Sequence, residues 1–495
     1  MLGEQIVAHV TGFSLASLVS SIGSFSNSYV GALLLGPATW GLWQAARLVL
    51  QYGANLHLGV QNGMHREIPI LRGKGEIHRQ SHIANATFTF TILVAALTGV
   101  AIGVGSIAIP MAHEFRLYLQ CIALLTFLQY VYTFFGYLLR AHNDFSAASR
   151  VALVIAVGSV ATIALIPVFG LRGFLMGQVV RLLAATLYAW KKSDHSIHWE
   201  WDAQVIKVLL RIGFPIMLMT LAYLLFSSVD RMLIIRFLNP EQLAFYSLGN
   251  LVFAPLLVVF TAGNSVMYPR FAEHFGQTGD PRQLLRYVTV PMEILSMGLS
   301  VAVGVIYVAI PFAVTAFLPE YVRGITSARI LLCGLFFWAV AGMANNLLLT
   351  INKQTVRLWI LLVSVVLNLV WSYAALKLGF GIVGVAGGTS LSYFFYYILS
   401  SIIALRYARS PISEILYCVG KVLAPAAYVT GALWLTTEVI GPAVVVSEKA
   451  IGGIAFREIV FVLLTGYLSY VTVKRLGVLG MLRRRYSRED PGNTG

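Results

Sequence analysis

The chain has 495 residues, 58% of them hydrophobic and only 11% charged, with a net charge of +15 and a mean hydropathy of +0.79. A soluble domain carries about 25% charged residues, so the composition excludes an ordinary soluble protein and reads as a polytopic membrane protein. The apolar runs do not alternate with polar residues, which argues against a β-barrel. The basic residues fall between apolar segments, which points to membrane topology and anionic lipid rather than nucleic acid.

About fourteen segments have crossing length, at 8–33, 40–63, 83–110, 115–139, 148–168, 172–191, 210–237, 243–268, 285–311, 326–350, 357–376, 382–406, 414–439 and 453–474. The predicted fold class is therefore an all-α polytopic membrane protein. The N-terminal MLGEQIVAHV lacks a basic stretch and a small-residue cleavage site, so the first segment is expected to remain as a helix. Lysine and arginine concentrate in alternate loops and in the tail from Lys474 to Arg488. That bias predicts both termini on the cytoplasmic side of the cell (inner) membrane. Short outer turns are expected at LGPATW (35–40), FGLRG (169–173) and LKLGFG (376–381). Cys121, Cys333 and Cys418 are odd in number and lack ligand spacing, so they read as small buried apolar residues and no metal site is expected.

The two halves of the chain echo each other. Gly12-Phe13 corresponds to Gly213-Phe214, LLLGP ending at Pro37 to RFLNP ending at Pro240, and FGLRGFLMGQVV from Phe169 to FGIVGVAGGTSL from Phe380. Each copy holds six helices, so both share one orientation. The expected organisation is an N-terminal lobe over 1–192, a cytoplasmic linker over 193–205 and a C-terminal lobe over 206–409. Two added helices and a basic tail occupy 410–495. The linker belongs to the polar run KKSDHSIHWEWDAQ (191–204), and a cleft is expected between the lobes.

Polar stripes mark the faces expected to line that cleft. Ser14, Ser17, Ser21, Ser24 and Ser28 recur at three and four residues, on one helical face. That pattern fits a wet surface or close packing of small residues. Gln44, Gln51, Asn55, Asn62 and Arg66 recur at seven and four, with Arg47 at the edge; long amides beside an arginine favour a water-filled cavity. His57 lies on the opposite side and reads as a hydrogen-bonded histidine between helices. In the second copy Thr220, Tyr223, Ser227 and Asp230 form a comparable stripe, followed by Asn250 and Asn264 in the next span.

Arg181 lies about midway through its segment, where a charge costs about 2.5–3.5 kcal/mol on insertion scales. It is expected to face the cavity or a partner. Glu293 is also deep and is expected to exchange a proton or to pair with Arg181. Arg231 and Arg236 read as snorkelling to the outer surface. Arg66, Arg150, Arg270 and Arg357 lie at inner helix ends, where they report topology or form a cytoplasmic mouth. No GxxxxGK[ST], GxSxG, HExxH or CxxC motif is present, so no ATPase or hydrolase chemistry and no cofactor are expected.

The stretches GFPIMLMTLAYLLFSSVDRMLIIRFLNPEQLAFYSLGN (213–250) and YPRFAEHFGQTGD (268–280) resemble the seventh and eighth helices of Wzx-type polysaccharide transporters. LGVQNGMHREIPILRGKGE (58–76) and GFGIVGVAGGTSLSYFFYY (379–397) resemble other stretches of that family, which belongs to the multidrug/oligosaccharidyl-lipid/polysaccharide (MOP) exporter superfamily. The resemblance covers essentially the whole chain. It implies a two-lobed alternating-access flippase for an undecaprenyl-diphosphate-linked oligosaccharide, coupled to a proton or sodium ion.

On that reading Arg181, Arg47, Gln51, Asn55, Asn62, Ser21, Ser24, Asn250 and Asn264 line the cavity, and Glu293 and Asp230 serve ion coupling. The expected partners are the lipid-linked substrate, membrane lipids and polysaccharide polymerase or assembly proteins. The first span carries no ionised residue, which departs from the peptidoglycan-precursor branch and from drug exporters with an acidic first helix. The alternatives are a multidrug or cation antiporter, which predicts an acidic cavity, and a membrane-embedded polymerase or ligase, which predicts long outer loops.

Overall fold

The computed structural model describes residues 2–110, 113–193 and 197–434, with side chains from residue 15 to 432 except at 114, 255, 257–266 and 268–270. Among the described residues there are thirteen α-helices, two 3-10 turns and no strand. This is what a bilayer demands, since a helix satisfies every backbone N–H and C=O within its own segment. Ten of the helical stretches are long and apolar enough to cross a membrane. The predicted span at 453–474 and the basic tail lie outside the described residues.

The first two predicted spans form one continuous helical run, α1 (Leu2–Ala54), broken sharply at Gly36 (φ 72°, ψ 167°) and followed by Pro37. Glycine alone adopts this backbone without a Cβ penalty, and proline has no N–H with which to continue the ladder. The fifth and sixth spans behave likewise in α5 (Phe145–Lys192), which breaks at Gly170 (φ 56°, ψ −135°). Both breaks fall within predicted outer turns.

Two other predicted spans are interrupted where no turn was expected. The second does not run to residue 63: α1 ends at Ala54, Leu58 and Gly59 have positive φ (53° and 86°), and α2 (Val60–Gly73) then begins. The stripe from Gln44 to Arg66 is therefore cut, with Gln44, Gln51 and Asn55 on α1 or its end and Asn62 and Arg66 on α2. The reason is a close helix contact. A Cβ on Gly59 would run into the backbone of Gly213, and one on Gly63 would lie 2.5 Å from the Leu209 carbonyl. The seventh span divides at Ser227-Ser228 into α6 (Ala203–Phe226) and α7 (Val229–Phe237). There the Ser228 hydroxyl turns back to the Leu224 carbonyl at 2.6 Å.

The remaining helices are α3 (Ile77–Ala108), α4 (His113–Ala141), α8 (Pro240–Thr278), α9 (Leu285–Phe317), α10 (Ile325–Thr350), α11 (Gln354–Lys377), α12 (Gly381–Tyr407) and α13 (Ile412–Trp434). By internal contacts the chain groups into two compact units, 1–258 with 376–382, and 259–375 with 383–495.

In the first unit the two halves of α1 pack on α5. Gly23 lets the first half approach Ala156 closely, and Trp40 and Trp43 meet Phe174 edge-on at 5.9 and 5.0 Å. A second core joins Met64 and Ile68 of α2 to Phe134, Phe135 and Leu138 of α4 and Ala185 and Ala189 of α5. The polar linker is pinned to α3. His82 contacts Glu200 through Nδ1 (2.6 Å) and Asp202 through Nε2 (2.9 Å), Asn85 donates to Glu200 (3.0 Å), Trp199 meets Phe88 edge-on and Trp201 stacks on Phe90. Hydrogen bonds from Asn85 and His82 hold the Glu200 carboxyl below its ordinary range. The Val205 N–H, His82 and the Gln204 N–H do the same for Asp202, the N-cap of α6.

In the second unit, rings of α10 and α12 interleave, with Phe337 at 5.1 Å from both Phe336 and Phe394. Asn368 of α11 accepts from Ser372 (2.8 Å) and Thr389 (3.3 Å). Helix α13 is fastened to α9 where the Ser296 hydroxyl donates to the Val422 carbonyl at 2.5 Å.

Candidate functional site

The site is built on α5 folded back at Gly170. Its two halves run antiparallel in close contact, because Gly158, Gly173 and Gly177 leave no Cβ to separate them. A Cβ on Gly177 would lie 2.6 Å from Thr162, and one on Gly158 only 2.6 Å from Cγ of Arg181. The Arg181 side chain thus lies across the bare backbone of Gly158. It donates to Ser159 Oγ (3.2 Å) and to Gln178 Oε1 (2.6 Å), both buried residues. Its Nε is buried and finds no partner among the described residues. The arginine is oriented by neutral groups, and part of its donor capacity remains unused.

Arg47 of α1 lies within coulombic reach of Arg181 and of Arg231 on α7, all three in the first unit. Arg231 donates to the Ser227 carbonyl (2.8 Å), and its Nε is likewise buried without a partner among the described residues. Arg231 is half-buried and follows the break at Ser227-Ser228. The adjacent Asp230 is buried and accepts a hydrogen bond from the Tyr246 hydroxyl. Among the described residues none of the three arginines forms a salt bridge. Arg47 is exposed, Arg181 and Arg231 are half-buried, and the Arg231 backbone N–H donates to the Asp230 carboxylate; neighbouring guanidinium groups without a salt bridge repel one another and are well matched to a polyanion. Gln51 adds a buried Oε1 without a partner among the described residues.

The other sequence-derived candidates are placed as follows. Ser21 and Ser28 donate to the carbonyls four residues back, Ser17 and Ser24, at 2.8 and 2.9 Å. Their protons are used locally, the behaviour expected of packed serines. Asn55 donates to the Gln51 carbonyl (2.8 Å), and Ser24 and Asn62 are half-buried. Asn250 is exposed on α8; Asn264 and Arg270 are on α8 with side chains outside the described residues. Arg66 is exposed beside Glu67 (3.9 Å), and Arg150 is exposed on the first turns of α5. Arg357 is half-buried and lies near Tyr396. His57 is buried and accepts from the Gly59 N–H at 3.0 Å, the hydrogen-bonded histidine expected from sequence.

Glu293 belongs to the second unit and pairs with Lys421 of α13 at 3.2 Å. The alternative of pairing with Arg181 is thereby corrected, because α13 packs on α9 and supplies the cation. With Tyr397, Ser401 and Cys418, Glu293 lines a space of about 10 Å³, room for about one water.

Sequence reasoning missed three contributors to the arginine cluster: Gly158, Gln178 and Arg231. A signal for the first existed in the run of glycines at 158, 170, 173 and 177, which marks a tightly packed hairpin.

A sequence family described as polysaccharide biosynthesis protein matches residues 32–323. No curated protein matches this chain. Among solved structures, the lipid II flippase MurJ in an inward closed conformation superimposes with a TM-score of 0.69 at 12% identity, over 94% of this chain and 99% of that one. An inward-facing multidrug resistance MATE transporter of the MOP superfamily gives 0.63 at 17% identity, over 82% and 99%. A MOP superfamily transporter from Pyrococcus furiosus gives 0.55 at 17% identity, over 82% and 96%. At such identities the likeness establishes the fold, an all-helical polytopic membrane architecture.

Proposed function

This chain belongs to the polysaccharide biosynthesis protein family, and from that premise we propose that it is a flippase of the MOP type. It carries an undecaprenyl-diphosphate-linked oligosaccharide from the cytoplasmic to the outer leaflet by alternating access. One observation carries the reading: Arg47 lies within coulombic reach of both Arg181 and Arg231 in a unit of membrane-crossing helices, and none of the three forms a salt bridge among the described residues. A sugar diphosphate cannot cross hydrocarbon unaided, because each buried polar group that loses water without a partner costs several kcal/mol. Guanidinium groups supply charge-assisted hydrogen bonds to a diphosphate, and Gln51 supplies an acceptor suited to a sugar hydroxyl. The same cluster speaks against the antiporter alternative, whose cationic cargo needs acidic partners.

Glu293 is the proposed coupling residue. Protonation would remove its attraction for Lys421 and loosen α13 from α9, so an ion gradient would bias that contact. Arg66 and Arg150 are the proposed cytoplasmic mouth, with the protein in the cell inner membrane and both termini cytoplasmic.

The test is flipping of defined lipid-linked oligosaccharides in reconstituted vesicles, with and without ion gradients. Arg181→Ala should reduce it by about two orders of magnitude. Undiminished flipping by that variant would remove Arg181 from the site, and absence of flipping by the wild-type protein would end the reading.

A further inference from the structure

The first unit contains a cavity of about 600 Å³ that the flippase mechanism above does not use. Its walls are almost wholly aliphatic: Leu48 and Val49 from α1, Ala101 and Ile102 from α3, and Met232 and Ile235 from α7 are representative. Its volume is within the range of small-molecule sites and about twenty times a water's share of the liquid. A space so lined gives water few partners and suits hydrocarbon.

Its polar edge decides which hydrocarbon. Tyr52 lines the cavity, and its hydroxyl shares a 2.7 Å hydrogen bond with Ser228, at the start of α7. Tyr52 also lies within coulombic reach of Arg231. Two helices therefore serve both regions. Helix α7 gives Arg231 to the arginine cluster and Met232 and Ile235 to the cavity; α1 gives Arg47 to the cluster and Leu48 and Val49 to the cavity. At 100° per residue Arg231 lies on the face next to Met232 and Ile235, whereas Arg47 lies on the side of α1 largely opposite the residues that line the cavity. An apolar slot with a cation, Arg231, at its edge is complementary to an amphiphile with an anionic head and a hydrocarbon tail.

We propose that this cavity between α1, α3, α4 and α7 holds the isoprenoid tail of the lipid carrier, adjoining its diphosphate on Arg231. The inference rests on the proposed flippase reading and adds to it a tail site in the first unit, distinct from the added C-terminal helices. Tail recognition then makes specificity depend on the carrier as well as on the sugar.

The test uses the full-length protein in vesicles with three photoreactive probes. One is a prenyl diphosphate with a diazirine in its tail, the second the same tail ending in an alcohol, and the third a phosphatidylcholine with a diazirine acyl chain. The expected result is that the diphosphate probe labels residues 45–56 and 98–102 preferentially. Ala101→Trp, or Ile235→Trp as a second plug, should reduce that labelling by about tenfold, since displacing as few as two methylene groups costs about that much.

Equal labelling by phosphatidylcholine would make the cavity a slot for bulk lipid and overturn the proposal. Labelling confined to other helices, in vesicles whose flipping still depends on Arg181, would overturn it while leaving the flippase reading intact. Absence of flipping by the wild-type protein would strike that reading itself.

Discussion

Arg181 and Glu293 are both ionisable groups set within long apolar helices, and their surroundings solve the same problem in opposite ways. Glu293 is only 14% exposed and is compensated by a cation on a neighbouring helix, Lys421, itself 35% exposed. Arg181 is oriented by a serine and a glutamine, keeps a buried N–H without a partner among the described residues, and has Arg47 nearby instead of an acid. A compensated charge holds two helices together. An uncompensated one is free to meet a ligand, and under the proposed function that ligand is the transported diphosphate.

The contrast is broken most forcefully at Arg181. Arg181→Ala is expected to reduce flipping in reconstituted vesicles by about two orders of magnitude, the equivalent of two charge-assisted hydrogen bonds. Its midpoint of thermal unfolding in detergent should not fall. Arg181→Lys should be intermediate, because an ammonium lacks the planar fork of donors. A clear loss of thermal stability in Arg181→Ala would place the residue with Glu293 as a structural charge.

Glu293→Ala should show the reverse emphasis. It strands Lys421, and the expected loss of stability is about 1–3 kcal/mol, below the 3–5 of a fully buried pair because Lys421 is partly solvated. The double variant Glu293→Ala with Lys421→Met should recover most of that loss, as read by detergent unfolding. Failure of the second substitution to compensate would show that the pair is not what binds α13 to α9.

Gly158→Val sharpens the comparison without touching a charge. Its new side chain would occupy the position of Arg181 Cγ, so flipping should fall by about tenfold while stability drops by about 1–3 kcal/mol, the usual cost of overpacking. Wild-type flipping would mean that the exact seat of Arg181 is unimportant.

The smallest effect is expected at the linker, where water screens a third arrangement of charges. Glu200 and Asp202 both titrate below their ordinary values, chiefly through hydrogen bonds from Asn85 and from the Val205 N–H, with His82 second among the causes that lower each. A depressed carboxylate contributes stability above its unfolded value, and that contribution is lost as the pH falls through the folded one. The linker should therefore loosen from α3 as the pH drops below about 4. Protease cleavage within 197–202 reads this directly, and His82→Gln should make the segment more susceptible already at neutral pH. Cleavage that ignores both acid and the substitution would show that the aromatic contacts of Trp199 and Trp201 alone hold the linker.

The amino-acid sequence by itself determined the class of protein and most of the helix positions. Hydropathy is a local property, and twenty apolar residues in lipid have little choice but to form a helix. It also determined the turns at Gly36-Pro37 and Gly170, because backbone geometry is written in the residue types at those points. Tertiary structure decided the rest. The break after Ala54 depends on Gly59 meeting Gly213, more than a hundred and fifty residues away in sequence. The same holds for the partner of Glu293 on α13 and for the nearness of Arg47 to Arg181 and Arg231. A hydrophobic pattern records which residues avoid water, whereas the choice of partner for a buried charge is a long-range packing decision that no local window contains.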